Sequence, residues 1–166
     1  METKNHIPPG SRRVEKSITI DAPPELLYRF WRNPENLPFV LRHIKSVQKI
    51  DENRSRWTAK GPIGTKIQWE SQITRDAENE RIDWQSLEGS DLPNSGSVSF
   101  KKAPGDRGTE VRTLFRYDPP GGTIGATVAK LFGEEPSQEL SDGLRKFKQM
   151  METGEIATII GQPTGP

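Results

Sequence analysis

The sequence predicts an α+β domain: a curved, seven-stranded antiparallel sheet around one long C-terminal helix, with two short helices after the first strand. Three observations predict it. From Ile44 to Asp118 apolar residues recur at every second position, broken by turn residues and never by a helical stretch. A separate period-2 segment, Val14–Ile20, precedes them. Pro136–Thr153 then places Leu140, Leu144, Phe147 and Met151 at i, i+4, i+7 and i+11, a stripe of helical period.

Each element has a local reason. Met1–Arg13 is polar, is broken by Pro8-Pro9-Gly10 and reads as a flexible arm. Val14, Lys16, Ile18 and Ile20 share one side of the first strand, which Asp21-Ala-Pro-Pro24 ends. The prolines suit the start of a helix over Glu25–Arg32, with Leu26, Leu27, Phe30 and Trp31 turned to the core. Asn33-Pro34 ends it, and Glu35–Leu41 follows as a second short helix around Pro38. The six later strands are Ile44–Asp51, Arg54–Lys60, Lys66–Arg75, Arg81–Leu87, Gly96–Lys102 and Thr109–Tyr117. Asp118-Pro-Pro-Gly-Gly122 closes the sheet, and a helix over Thr123–Phe132 precedes the long one. The domain proper spans 14–155, and Ile156–Pro166 is a flexible tail.

Composition narrows the function. The 166 residues fit one domain, at roughly 100–200 residues each. Lys and Arg number 24 against 23 Asp and Glu, a net charge of +1, which disfavours nucleic acid as a partner. The absence of cysteine removes disulfides, thiolate metal sites and a Cys nucleophile. No apolar run reaches the roughly 20 residues a spanning helix needs. The opening METKNHIPPGSRR lacks the apolar region of a secretory signal, so a cytoplasmic protein is expected. Apolar residues make up only 31% of the chain, yet four of its few aromatics are tryptophan. A core this lean depends on where those large side chains stand.

Strand alternation places them. Trp57, Trp69, Trp84, Phe100 and Phe115 fall on the concave face as the sheet wall of a pocket. Leu140, Leu144, Phe147 and Met151 form the helix wall opposite. Ser71, Ser86, Thr113 and the Tyr117 hydroxyl are the polar groups available to orient a ligand. Alternation puts no Asp, Glu, His, Lys or Arg on this face, a pattern of binding rather than proton transfer. A shifted register would reverse the faces, with Lys101, Arg112 and Arg116 the charges to watch.

Other motifs carry less. His43 lacks partners at ligand spacing and reads as a surface or pocket-rim residue, so no metal is expected. Gly61-Pro-Ile-Gly-Thr-Lys66 superficially resembles a phosphate loop, but its glycine spacing is wrong and a strand follows. Asp76, Glu78 and Glu80 mark a solvated hairpin tip.

The segments Val14-Glu-Lys-Ser-Ile-Thr-Ile-Asp-Ala-Pro-Pro-Glu25 and Trp31-Arg-Asn-Pro-Glu-Asn-Leu-Pro38 resemble the opening of the START/polyketide cyclase-dehydrase (SRPBCC) superfamily. Leu131-Phe-Gly-Glu-Glu-Pro136 and Leu144-Arg-Lys-Phe-Lys-Gln-Met-Met-Glu-Thr-Gly-Glu155 are similar to its bacterial cyclase/dehydrase branch. The resemblance implies a helix-grip fold similar to the major birch pollen allergen, with a hydrophobic cavity between sheet and helix. Its members include lipid carriers, hormone receptors, quinone-binding proteins and aromatase/cyclases.

The expected function is carriage of a small hydrophobic molecule (lipid, quinone, isoprenoid or polyketide-like) without a cofactor, past a gate at Gly122–Pro136. One alternative is a cyclase/dehydrase-type enzyme with His43 or Tyr117 as proton donor. The other is an interaction module, acting through an exposed face or as a homodimer.

Overall fold

The computed structural model describes residues 12–60, 64–117 and 136–154. The helix expected at Thr123–Phe132, the tail and all of the gate but Pro136 lie outside the described residues. Strands β1 (Arg12–Ile20), β2 (Ile44–Lys49), β3 (Arg54–Lys60), β4 (Lys66–Ala77), β5 (Arg81–Ser86), β6 (Asn94–Lys102) and β7 (Thr109–Tyr117) form one sheet. Its order is β1-β7-β6-β5-β4-β3-β2, with every neighbouring pair antiparallel. Helix α1 (Pro24–Arg32) and a 3-10 turn (Pro34–Phe39) follow β1, and helix α2 (Pro136–Thr153) packs on the concave face.

The first strand starts earlier than its apolar pattern does. Arg12 and Arg13, expected in the arm, pair with Tyr117 and Arg116 of β7. Polar side chains are tolerated there because an antiparallel edge strand draws on main-chain hydrogen bonds.

The short helices are positioned by local backbone constraints and by two asparagines. Pro24 suits the first turn of α1, where an N–H has no intrahelical acceptor. Leu27, Phe30 and Trp31 turn inward. At the other end Asn36 Nδ2 donates to the Phe30 carbonyl at 3.0 Å, satisfying an acceptor the helix leaves open. Asn33 Oδ1 accepts from the Glu35 amide at 3.2 Å and so caps the 3-10 turn.

The core is divided. One cluster joins Leu144, Phe147, Met150 and Met151 of α2 to Leu27, Phe30 and Trp31 of α1 and to Ile20, Ile82, Val98, Phe100 and Val111 of the sheet. Phe147 has no exposed surface, and its ring lies 4.9 Å from Phe30 and 5.8 Å, edge-on, from Trp31. The other cluster joins Ile44, Val47, Ala59, Ile67 and Trp69 of β2, β3 and β4 to Leu92 and to Tyr117 of β7. The C-terminal turns of α2 are tied to β1 by Lys148 Nζ, which donates to the Thr19 carbonyl at 2.7 Å. Glu152 accepts from Lys148 Nζ at 2.7 Å and from the Asp21 amide at 2.8 Å, and those two bonds hold its carboxyl below the usual range.

The register does slip, although not at the three charges singled out. Between Ile73 and Arg75 a bulge leaves Thr74 without a partner on β5, so that Asp76 stands opposite the buried Ile82. Asp76 is exposed, as expected of the hairpin tip, and it also bonds two side chains of α1. Tyr28 Oη donates to Asp76 Oδ1 at 2.6 Å and Arg32 Nε to Oδ2 at 2.8 Å. Lys101 and Arg112 remain exposed.

This packing can be tested at two places. Gly96 faces Trp84 across β5 and β6, and a Cβ there would lie 2.6 Å from Trp84 Cζ2 and 2.8 Å from the Leu114 carbonyl oxygen. Gly96→Ala is therefore expected to destabilise the fold by about 1–3 kcal/mol in urea denaturation and to shift the near-UV signal of Trp84. The Tyr28 phenol is pushed up to about 12, first by burial and then by its bond to Asp76. Stability from that contact is whole below an ordinary tyrosine pKa of about 10 and is lost as pH rises through the folded value. Asp76→Asn should lower the Tyr28 midpoint in a phenolate absorbance titration.

Candidate ligand cavity

Between the two clusters the side chains of sheet and helix fail to meet, and a cavity of about 100 Å³ remains. Trp57 and Leu41 border both clusters and so mark its edges. All four tryptophans of the chain, Trp31, Trp57, Trp69 and Trp84, line it. They stand as two stacked pairs. Trp57 and Trp69 are directly opposed on β3 and β4, with ring centroids 5.9 Å apart and planes 15° apart. Trp84 lies 6.4 Å from Trp31 of α1 at 21°. Flat apolar walls of this kind favour a flat apolar occupant.

The expected lining is present in part. Trp57, Trp69, Ser71, Trp84, Thr113, Phe115 and Leu140 border the cavity, as does the rim residue His43. Phe100, Leu144, Phe147 and Met151 pack instead into the first cluster, because α2 presses its C-terminal half against α1 and leaves its N-terminal half over the opening. Tyr117 belongs to the second cluster, stacked on Phe115 at 5.6 Å, and burial pushes its phenol up. Ser86 serves the backbone, its hydroxyl accepting from the Asn94 amide at 2.9 Å. Sequence reasoning missed Val14, Trp31, Leu37, Leu41, Ile44, Asn94, Leu114 and Glu139. The Trp31 stripe was visible as a core face, but nothing local marks which part of such a face borders a void.

The strands bring no Asp, Glu, His, Lys or Arg to the cavity, but the helix brings Glu139. It comes from the first turns of α2, outside the reach of strand alternation, and only 8% of its surface is exposed. Its Oε2 lies 2.9 Å from His43 Nδ1 and its Oε1 3.5 Å from Arg42 Nε. A negative charge in the first turns of a helix is favourable, which eases the cost of placing a carboxylate beside apolar walls. Two of the other polar side chains bond the backbone. Thr113 Oγ1 donates to the Lys16 carbonyl at 3.0 Å, and Asn94 Nδ2 to the Leu92 carbonyl at 2.8 Å. The buried Trp31 Nε1 has no hydrogen-bond partner among the described residues. Among the same residues no group of three His, Asp or Glu side chains could hold a metal ion, and no helix is long and apolar enough to cross a membrane.

A curved antiparallel sheet closed over one helix, with an apolar cavity between them, defines a helix-grip protein. The chain belongs to the family described as polyketide cyclase / dehydrase and lipid transport, whose model matches residues 20–145. Protein DR_A0006 of Deinococcus radiodurans is similar at 39% identity, with a TM-score of 0.71 over 86% of this chain and 99% of that one. TTHA0849 of Thermus thermophilus shares 26% identity, with a TM-score of 0.68 over 86% and 99%. The di-domain ARO/CYC StfQ of the steffimycin biosynthetic pathway shares the fold at 14% identity, with a TM-score of 0.61 over 87% of this chain and 52% of that one. No curated protein sequence matches.

The carboxylate and the imidazole should be energetically coupled. Glu139→Gln and His43→Leu are each expected to cost about 1–3 kcal/mol in urea denaturation. Their double variant should cost less than the sum, since each single change already removes the contact.

Proposed function

We propose that this protein binds and carries a small hydrophobic molecule in the cavity between its sheet and α2. The observation that supports this best is the concentration of every tryptophan around one opening in an otherwise lean core. Filling that opening with side chains would have added packing contacts, whereas an empty apolar cavity costs stability in proportion to its volume. A retained cavity with stacked aromatic walls is what ligand burial requires. At about 100 Å³ it is of the order of an engineered apolar cavity of about 150 Å³ that takes up benzene, so it accommodates one ring deeply rather than a whole lipid.

The contact between Glu139 and His43 favours a second reading, a cyclase/dehydrase-type enzyme in which the pair moves a proton within the cavity. The two readings differ in the fate of the bound molecule, which a carrier returns unchanged and an enzyme converts.

Native mass spectrometry of freshly purified protein, followed by solvent extraction, tests the carrier reading. A discrete excess mass that disappears on extraction is expected. Leu140→Trp, which fills the opening from α2, should lose that mass and melt no lower than the parent. An unliganded mass, together with no stabilisation by a panel of lipids, quinones and polyphenols, would overturn it.

A further inference from the structure

We propose that Glu139 recognises the hydrogen-bond-donating end of the ligand, so that the cavity selects small aromatic alcohols of the phenol type over the corresponding hydrocarbons. The inference rests on the cavity-binding reading and names its ligand class.

Two features fix the chemistry. All four tryptophans line the cavity, and aromatic side chains pair favourably with another aromatic ring. The polar end is a carboxylate, which accepts hydrogen bonds and donates none. Its two oxygens offer about four acceptor sites. His43 stands at one oxygen, and Arg42, whose side chain is 75% exposed, stands at the longer 3.5 Å from the other. Acceptor capacity therefore remains on a residue that borders the cavity. Thr113 on the same lining has spent its hydroxyl proton on a backbone carbonyl, and Asn94 one of its two amide protons. The group that complements Glu139 is thus a donor, an O–H on a flat apolar body. A hydroxyl oxygen also accepts, which suits the Nε1 of Trp31 on the same lining, unpartnered among the described residues. A bond from that O–H to a carboxylate is charge-assisted and about twice as strong as a neutral one. A ligand without it would leave the carboxylate poorly solvated, which is a stronger source of discrimination than any difference in ring contacts.

The matched probes are p-cresol and p-xylene, which differ by a hydroxyl in place of a methyl group, with binding measured by equilibrium dialysis. In Glu139→Leu the affinity for p-cresol is expected to fall about tenfold while that for p-xylene holds or tightens. In the near-isosteric Glu139→Gln the loss of p-cresol affinity should be several-fold, because an amide carbonyl still accepts but carries no charge. Binding of p-xylene is the internal control for a folded cavity, and Glu139→Gln carries the test should Glu139→Leu fail to fold. If p-cresol affinity survives both substitutions, Glu139 is only an anchor for the end of α2 and the proposal falls. If neither probe binds the unsubstituted protein, the cavity reading falls and takes this one with it.

Discussion

The packing of Phe147 against Phe30 and Trp31 is the contact from which the rest of the architecture hangs. An 18-residue helix spans about 27 Å, at 1.5 Å per residue, and it has a seven-stranded sheet to cover. It cannot press equally on all of it. Phe147 fastens the C-terminal half of α2 to α1, and a bond from Lys148 to the Thr19 carbonyl and one from the Asp21 amide to Glu152 fix that half at the end of β1. The N-terminal half, with Glu139 and Leu140, is left standing over the β2 side of the sheet. Division of the core and existence of the cavity are thus one fact, set by where the aromatic contact falls along the helix.

Around that division the structure relies on a few polar contacts at high leverage. Asn36 completes the end of α1, and the bonds from Tyr28 and Arg32 to Asp76 join α1 to the far end of β4. With only 31% apolar residues the chain has little area to bury, and such bonds orient elements that hydrophobic contact alone would leave loosely placed. Gly96 belongs to the same economy. The indole of Trp84 closes over a strand because that strand offers it no side chain.

Much of this was legible in the sequence, for physical reasons that can be traced. Period-2 alternation sorted Trp57, Trp69, Ser71, Trp84, Thr113 and Phe115 to one face, because a strand's two faces are fixed by its backbone geometry. Helical period likewise found the buried stripe of α2. What the sequence left hidden is depth along an apolar face. Phe100, Leu144, Phe147 and Met151 share a face with wall residues yet meet side chains rather than space, and the difference depends on elements distant in sequence. Glu139 was hidden twice over, since it lies outside the stripe of Leu140, Leu144, Phe147 and Met151 and meets Arg42 and His43 only through the tertiary fold. The bulge at Thr74 was hidden for a related reason, as a single inserted residue leaves the polar pattern of Thr74, Arg75 and Asp76 looking like an ordinary strand end.

The gathering of every indole around one opening also makes the protein its own optical instrument. In most proteins tryptophan emission averages over unrelated sites, and a change at one is diluted by the others. Here no indole lies away from the cavity, so the entire emission band originates in its lining. Entry of water, of an aromatic quencher or of a ring that separates a stacked pair alters the colour and yield of all the light the indoles emit. Occupancy can therefore be followed continuously in the unlabelled protein.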